Sequence, residues 1–322
     1  MSQVKQVKVL EKDSGARLDR WFKRYYPALS HGALEKMLRG KNIRVNGARA
    51  KADQHLEAGD EIRVPPMPQA PVDAQKHSAL SDKDIAFIQS LVIYKDKDVI
   101  VLNKPAGLAV QGGSKTFRHI DGLLDGLKFD GERPRLVHRL DKETSGVLAL
   151  ARNVKAAAYL TKAFETKQAR KIYWALVSGC PSKMSGRVEL KLLKRSGKDG
   201  GEQVFVDENG QYAASLYEVV DTTGDYSWVR LAPLTGRTHQ LRVHMAALGC
   251  PIVGDKKYGG SDLDGLDKKM YLHAKALELP LPHGKKIILN APTPDYMKKS
   301  FAFFHFSDKK EIEDFDLFDI TK

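Results

Sequence analysis

The chain has 322 residues, of which 42% are hydrophobic and 29% charged, enough for one large core and a small additional domain. Its formal net charge of +13 favours a polyanionic partner, nucleic acid before an anionic membrane surface; a basic surface without a partner is the alternative. The first ten residues lack the apolar run of a signal peptide, and no segment approaches the roughly 20 apolar residues of a membrane span.

Residues 11–64 are predicted to form a compact basic unit. One helical pattern begins at Leu18, and a second follows the predicted N-cap Ser30 and ends at Gly40. Short strands are predicted at 43–45 and 59–64, the first followed by an Asn-Gly turn. From residue 21 to 51 there are eight Lys or Arg and one acid, whereas a solvated helix face normally mixes charges.

This unit resembles an S4 domain, a small RNA-binding module. The resemblance rests on Leu38-Arg39-Gly40, Arg44-Val45-Asn46-Gly47 and Gly59-Asp60; it departs from the pattern at His31, where a basic residue is expected. It implies that RNA is bound by basic side chains, namely Lys36, Arg39, Lys41, Arg44 and Lys51. The alternative is a basic domain that contacts only its partner domain.

Residues 65–80 are rich in proline, lack periodicity and are predicted to be a linker. Beyond them, the strand patterns at 92–94, 99–102, 146–151, 172–177, 215–220 and 228–231 outnumber the helical patterns at 154–168 and 239–248. Glu208-Asn209-Gly210 predicts a hairpin turn. The absence of regular strand–helix alternation predicts an α+β domain at 81–306 with a mixed, largely antiparallel sheet. Residues 307–322 form an acidic C-terminal tail to which we assign no function.

The most informative run is His138-Arg139-Leu140-Asp141-Lys142-Glu143-Thr144-Ser145-Gly146. Its aspartate lies between two cations, which favour the ionised carboxylate. A loop aspartate usually caps a turn, and this is the alternative to a catalytic role.

Two further motifs carry polar side chains in a defined order. In Lys171-Ile172-Tyr173, strand alternation places Lys171 and Tyr173 on one face. The run from Leu234 to His244 (LTGRTHQLRVH) predicts a helix capped by Thr238, with an arginine just before its start.

Together these three motifs resemble those of the RluA-type pseudouridine synthases, with supporting matches at 102–107, 251–255, 258–259 and 272–274. The resemblance implies the pseudouridine synthase fold, with an S4 domain before it, and isomerisation of uridine in RNA. It implies that Asp141 is the nucleophile, Tyr173 removes the proton from C5, and Arg237 pairs with Asp141. It further implies that Leu241 packs on the uracil and that Arg139 fills the space left by the extruded base.

The resemblance also implies partners and cofactors. Large-subunit ribosomal RNA is the expected substrate, transfer RNA is the second choice, and Gly112-Gly113-Ser114 favours the RluC branch over the RluD branch. No cofactor is expected, whether metal or nucleotide, and no membrane partner. Two distant cysteines, Cys180 and Cys250, indicate a reducing compartment, so we expect a cytoplasmic protein.

Neither a nucleotide-binding phosphate loop nor a zinc site fits the sequence. Residues 107–116 lack the Gly-Lys-Ser/Thr step of a phosphate loop. His239 and His244 are five residues apart, which separates their side chains by roughly 140° around a helix, whereas two zinc ligands on one helix face are four residues apart. An RNA-binding assembly factor with an inactive catalytic domain is the second hypothesis. A carboxylate glycosidase is the third; it needs a second acid, for which Glu143 is the only nearby candidate.

Overall fold

The computed structural model divides the chain into two units, residues 1–79 and 80–322. It describes residues 4–27, 29, 31–66, 80–112, 116, 118–129, 131–196, 202–282, 284–306 and 315–319. The predicted N-cap Ser30 lies outside the described residues, as do Gly113, Ser114 and most of the predicted linker.

The first unit packs two helices against a small antiparallel sheet of strand order β1-β4-β2-β3. Its elements are β1 (Lys5–Lys8), α1 (Leu18–Tyr25), α2 (His31–Arg39), β2 (Arg44–Val45), β3 (Ala48–Arg49) and β4 (Glu61–Val64). Buried Leu18, Trp21 and Phe22 share one face of α1, as their helical spacing predicts. The predicted turn between β2 and β3 is confirmed, since Asn46 and Gly47 both have positive φ, 50° and 74°.

The second unit is built on a large sheet with helices against both faces. Its helices are α3 (Asp82–Ser90), α4 (Ile120–Leu123), α5 (Val154–Glu165), α6 (Gln240–Ala247) and α7 (Asp295–Phe303). Its strands are β5 (Val92–Lys95), β6 (Val99–Lys104), β7 (Arg135–Leu136), β8 (Ser145–Ala151), β9 (Arg170–Ser178), β10 (Ser185–Ser196), β11 (Glu202–Val206), β12 (Gln211–Thr223), β13 (Tyr226–Pro233), β14 (Leu272–Pro280) and β15 (Lys286–Asn290).

The main path through this sheet is β11-β10-β12-β13-β9-β14-β8-β6-β5, with β15 on β14 and β7 on β8. Among the described strands, β8 and β14 pair in parallel and the other pairs are antiparallel. The predicted α+β class with a mixed, largely antiparallel sheet is therefore confirmed.

Strand alternation divides the apolar side chains between the two faces of this sheet. Tyr173 and Ala175 of β9 belong to a core that also holds Leu241 and Met245 of α6. Ile172 and Trp174 point the other way, into a core with Met297 and Phe301 of α7. The predicted faces of β9 are thus the observed ones, and Tyr173 lies on the same side as α6.

The predicted hairpin at 208–210 is wrong. Strands β11 and β12 do not pair with each other; both pair antiparallel with β10, in successive registers that meet at Leu192. The Asn-Gly turn is therefore a bulging loop beside β10. Gly210 is needed there, because a Cβ would lie 2.5 Å from the Leu192 backbone.

The described part of the C-terminal segment is a single 3-10 turn, Asp316–Asp319, that packs on the second unit. Phe315 and Leu317 are buried, and Asp316 pairs with Arg230 of β13. In the described chain, none of the helices combines the length and the apolar character that crossing a membrane requires.

Candidate active site

Asp141 lies in the loop that leads from β7 into β8. Leu140 before it is buried in the core, and the backbone N–H of Thr144 donates to the Asp141 carbonyl at 3.2 Å in a tight turn. The Asp141 side chain keeps 23% exposure. A short anchored turn thus presents the carboxylate at the surface of a cavity.

The side chains of Lys104 and His138 hold the backbone around this loop in place. Lys104 at the end of β6 is fully buried and donates to the carbonyls of Pro105, Leu108 and Lys142 at 2.9, 2.7 and 3.0 Å. Burial lowers the pKa of Lys104 to about 7. His138 accepts the N–H of Ala149 at its Nε2 at 2.8 Å, and burial, with the nearby Lys171 charge, lowers its pKa to about 3, so its ring is neutral.

The start of β8 is set by its contact with β14. Gly146 has φ 111°, and a Cβ there would lie 2.1 Å from the carbonyl oxygen of Ala274. This close approach of two backbones explains why the Asp141 motif ends in Gly146, because a larger residue would push the loop away from the sheet.

Arg242 of α6 is the arginine that approaches Asp141, with Nη1 3.5 Å from the Asp141 Oδ2. It is itself held by a bidentate pair to buried Asp255, through Nε and Nη2 at 2.7 Å each. The expected pairing of Arg237 with Asp141 is therefore corrected: Arg237 is exposed, and its Nε donates to the Tyr212 carbonyl at 3.1 Å.

The start of α6 explains this change of arginine. The helix begins at Gln240, after His239 in the left-handed conformation (φ 53°), so the predicted cap Thr238 is wrong. Buried Gln240 donates to the Ala214 carbonyl of β12 at 2.8 Å, while its Oε1 accepts from Thr235 and from the Arg237 N–H. This anchor leaves Arg237 outside the helix and turns Arg242 inward.

These elements enclose a cavity of about 360 Å³, within the usual range of roughly 300–1,000 Å³ for ligand sites. All five catalytic and substrate-binding residues predicted in this unit line it, namely Asp141, Tyr173, Arg237, Arg139 and Leu241. Burial, and then the charge of Asp141, raise the pKa of the Tyr173 phenol well above its usual value. Tyr173 is therefore a neutral phenol in the unliganded site.

Comparison with known proteins agrees with this geometry. Residues 98–247 match a family model described as RNA pseudouridylate synthase. "Ribosomal large subunit pseudouridine synthase C" of Rickettsia felis (strain ATCC VR-1525 / URRWXCal2) is 39% identical over 293 residues, 89% of this chain and 96% of that one. The protein of that name in Escherichia coli O157:H7 is 35% identical, covering 92% and 95%. The solved structure "Human RNA Pseudouridylate Synthase Domain Containing 4" aligns with a TM-score of 0.61 and 30% identity, over 71% of this chain and 99% of that one.

The chain belongs to the RluA-type family of RNA pseudouridine synthases. It is accordingly an enzyme of RNA uridine isomerisation, and the cavity around Asp141 is its candidate active site.

Sequence reasoning missed four residues of this pseudouridine synthase site: Lys104, His239, Arg242 and Asp255. Each lies within one of the motifs given above, but spacing along the chain cannot show which of the side chains reach the Asp141 loop. The ring of His239 lies beside the carboxylate, with its Nε2 3.9 Å from Oδ2.

The structure places the other predicted residues as follows. In the first unit, the basic side chains expected to bind RNA are all exposed, namely Lys36, Arg39, Lys41, Arg44 and Lys51. Arg39 and Lys51 line one shallow cavity of that unit. Within the described residues, no cluster of three or more His, Cys, Asp or Glu could hold a metal ion.

Proposed function

We propose that this enzyme converts specific uridines of large-subunit ribosomal RNA to pseudouridine, with Asp141 as nucleophile and without a cofactor. Relatives named large-subunit pseudouridine synthases, 35–39% identical over most of the chain, support this substrate; transfer RNA is the second choice. A ribosomal substrate also favours the cytoplasm as its compartment.

The observation that carries the proposal is the position of Asp141 in the cavity. Its carboxylate is partly exposed, lies 3.5 Å from the Arg242 guanidinium, and shares the cavity with Tyr173. An adjacent guanidinium holds such a carboxylate in a defined orientation, as nucleophilic catalysis requires.

The reaction balances without any other reagent. The C1′–N1 bond of uridine breaks, the uracil turns, and a C1′–C5 bond forms; C5 loses one proton and N1 gains one. Asp141 holds or stabilises the sugar while the base turns. Because no electrons or groups are exchanged with a second molecule, this chemistry calls for neither a metal nor a nucleotide cofactor.

Tyr173 is proposed to take the C5 proton in the last step. The C5 proton leaves only after the C1′–C5 bond has formed, when any bond from Asp141 to the sugar has broken and the carboxylate is free again. Burial, and then the charge of Asp141, raise the pKa of the Tyr173 phenol. The phenol therefore takes the C5 proton only as its own hydroxyl proton passes to water or to a neighbouring base.

The remaining cavity residues are proposed to hold the extruded nucleotide. Buried Leu241 would offer an apolar surface to the uracil, and exposed Arg139 would fill the space that the base leaves in the RNA. Extruding the base costs a few kcal/mol, which such contacts offset. Arg237, exposed at the cavity edge, is suited to a phosphate of the bound RNA rather than to Asp141.

The first unit is proposed to be an S4-type RNA-binding domain. Its exposed cations, Lys36, Arg39, Lys41, Arg44 and Lys51, would contact phosphates, and residues 65–80 would link it to the catalytic domain at 81–306.

Pseudouridine mapping tests the proposal. Unmodified ribosomal and transfer RNA are incubated with purified wild type or with Asp141→Asn, without added cofactor. We expect pseudouridine at discrete large-subunit sites with wild type alone, while the variant binds RNA within a few-fold of wild type. Turnover by the variant would remove Asp141 from its role. Binding without any product in wild type would favour the assembly-factor hypothesis.

A further inference from the structure

Asp141 has a second neighbour besides Arg242, the ring of His239. The His239 Nε2 lies 3.9 Å from the Asp141 Oδ2, and its side chain is only 12% exposed. The left-handed backbone at His239, directly before α6, turns this ring toward the cavity. A histidine in this position can restrain the carboxylate only if Nε2 carries a proton.

Tyr258 contacts the other ring nitrogen of His239. The Tyr258 hydroxyl lies 2.7 Å from the His239 Nδ1 and accepts the backbone N–H of Val204 at 3.0 Å. With the carboxylate of Asp141 beside Nε2, a lone pair at Nε2 would be repelled. The favourable arrangement is therefore Tyr258 donating to Nδ1, with the Nε2–H facing Asp141.

Tyr258 is in turn fixed by strand β11. Val204 of β11 is 4% exposed, so its N–H bond to Tyr258 is shielded from water. The neighbouring Lys257 also bonds to β11, since its ammonium donates to the Glu202 carbonyl at 2.7 Å. The same loop carries Asp255, which clamps Arg242, and the Arg242 guanidinium lies 5.0 Å from the Tyr258 ring centre.

We propose that Tyr258 and His239 are positioning residues that fix the Asp141 carboxylate from strand β11. One loop, residues 255–258, thus holds both groups beside Asp141: Arg242 through Asp255, and His239 through Tyr258. This inference rests on the proposed role of Asp141 as nucleophile.

The first experiment removes only the hydroxyl, as Tyr258→Phe, which keeps the ring beside Arg242. We expect the single-turnover rate at saturating RNA to fall about 10- to 100-fold, because displacing a reacting group by about 1 Å can cost on the order of 10²-fold. RNA affinity should stay within two-fold. In histidine-labelled protein, nitrogen NMR should show the Nε2–H form of His239 in wild type and a mixture of tautomers in the variant.

A second pair of variants separates positioning from packing. His239→Gln retains an N–H donor near the position of Nε2 and should keep most of the rate, whereas His239→Leu should lose as much as Tyr258→Phe. The double variant of His239→Leu with Tyr258→Phe should be no slower than His239→Leu alone, because the two residues act in series. Tyr226→Phe, on the opposite face of the sheet, is the matched control and should match wild type.

The outcomes distinguish this inference from the proposed function. If Asp141→Asn is inactive and Tyr258→Phe turns over at the wild-type rate, the positioning role is overturned while Asp141 keeps its own. If Asp141→Asn is active, the proposed role of Asp141 as nucleophile is contradicted, and the inference that rests on it is contradicted with it. Equal losses in His239→Gln and His239→Leu, or additive losses in the double variant, would also overturn the relay from Tyr258 to Asp141.

Discussion

At the scale of single residues, the site depends on which of two arginines in one motif faces the nucleophile. Arg237 and Arg242 are five residues apart, and both are plausible partners for a carboxylate. The sequence alone could not separate them, because the choice follows from the buried Gln240 anchor and from the left-handed His239 that starts the helix late. Asp255, the side chain that orients Arg242, comes from a distant loop.

Replacing Arg242 should affect both stability and activity. Arg242→Gln leaves the carboxylate of Asp255, whose side chain is 1% exposed, without its bidentate partner. We expect a loss of about 3–5 kcal/mol in the free energy of unfolding, as for other broken buried pairs, together with a large fall in turnover. Denaturant unfolding and single-turnover kinetics measure the two effects.

Two variants serve as controls for this prediction. Adding Asp255→Asn should recover part of the lost stability without restoring turnover, because it removes the unpaired buried charge but not the need for Arg242. Arg237→Gln, at an exposed site, should change stability by less than about 0.5 kcal/mol. If Arg237→Gln destabilised the protein as much as Arg242→Gln, the assignment of the buried pair would be contradicted.

At the scale of elements, periodicity predicted the strands that cross the core and failed where pairing is decided at long range. The strands at 99–102 and 172–177 were found with two or fewer residues missing at each end, because apolar runs mark buried strands. The hairpin predicted at 208–210 is wrong, because an Asn-Gly pair signals a reversal of the chain and cannot show that both flanking strands pair with β10 rather than with each other. The parallel pairing of β8 with β14 joins residues 128 apart and left no local signal.

Gly146 tests whether the contact between β8 and β14 positions the active-site loop. In Gly146→Ala the new Cβ would lie 2.1 Å from the Ala274 oxygen, so one backbone must move. We expect a loss of at least about 2 kcal/mol in unfolding free energy, since strained backbone alone costs about 1–3 kcal/mol, and a reduced rate because Asp141 shifts.

The matched control for this variant is Gly131→Ala. Gly131 has a similar positive φ of 86° but open space around its Cβ position, so its loss isolates the strain of the backbone conformation. Calorimetric or denaturant unfolding compares the two. Equal losses in stability would show that the contact with β14 adds nothing to the strain.

At the scale of the whole molecule, three enclosed histidines should make the catalytic unit sensitive to acid. Burial lowers the pKa of His138 and His273 to about 3 and that of His244 to about 4. Each histidine is neutral in the folded state at pH values where it already binds a proton in the unfolded chain, because its ordinary pKa is 6.5. Stability should therefore be unaffected above pH about 6.5 and fall as the pH drops from there toward about 4, by about 1.4 kcal/mol per unit for each group.

His244 offers the simplest test of this linkage, because both of its ring nitrogens are buried without a hydrogen-bond partner. His244→Met should keep the stability at pH 7. Between pH about 6 and about 4.5, its unfolding free energy should fall less steeply with pH, by the contribution of one proton. Unfolding is measured by the fluorescence of buried Trp174 and Trp228. His55→Met, in the first unit, should not alter that transition. An unchanged slope in His244→Met would contradict the neutral buried state of His244.

The charge of the whole chain leads to a prediction about salt. If the five exposed cations of the first unit contact phosphates, replacing Lys36, Arg39, Lys41, Arg44 and Lys51 with Ala should lower the slope of log affinity against log salt concentration by roughly 3.5–4.5. The loss should be similar for any RNA sequence, because phosphates carry no base identity. The single-turnover rate at saturating RNA should stay close to that of wild type, since the reacting groups lie in the other unit.

Replacing Lys298 and Lys299 of α7, on the opposite face of the sheet from Tyr173, is the control for this prediction and should leave the slope nearly unchanged. A slope that stays constant in the five-residue variant would mean that the first unit does not contact the backbone of the RNA, and that its positive charge serves contacts within the protein.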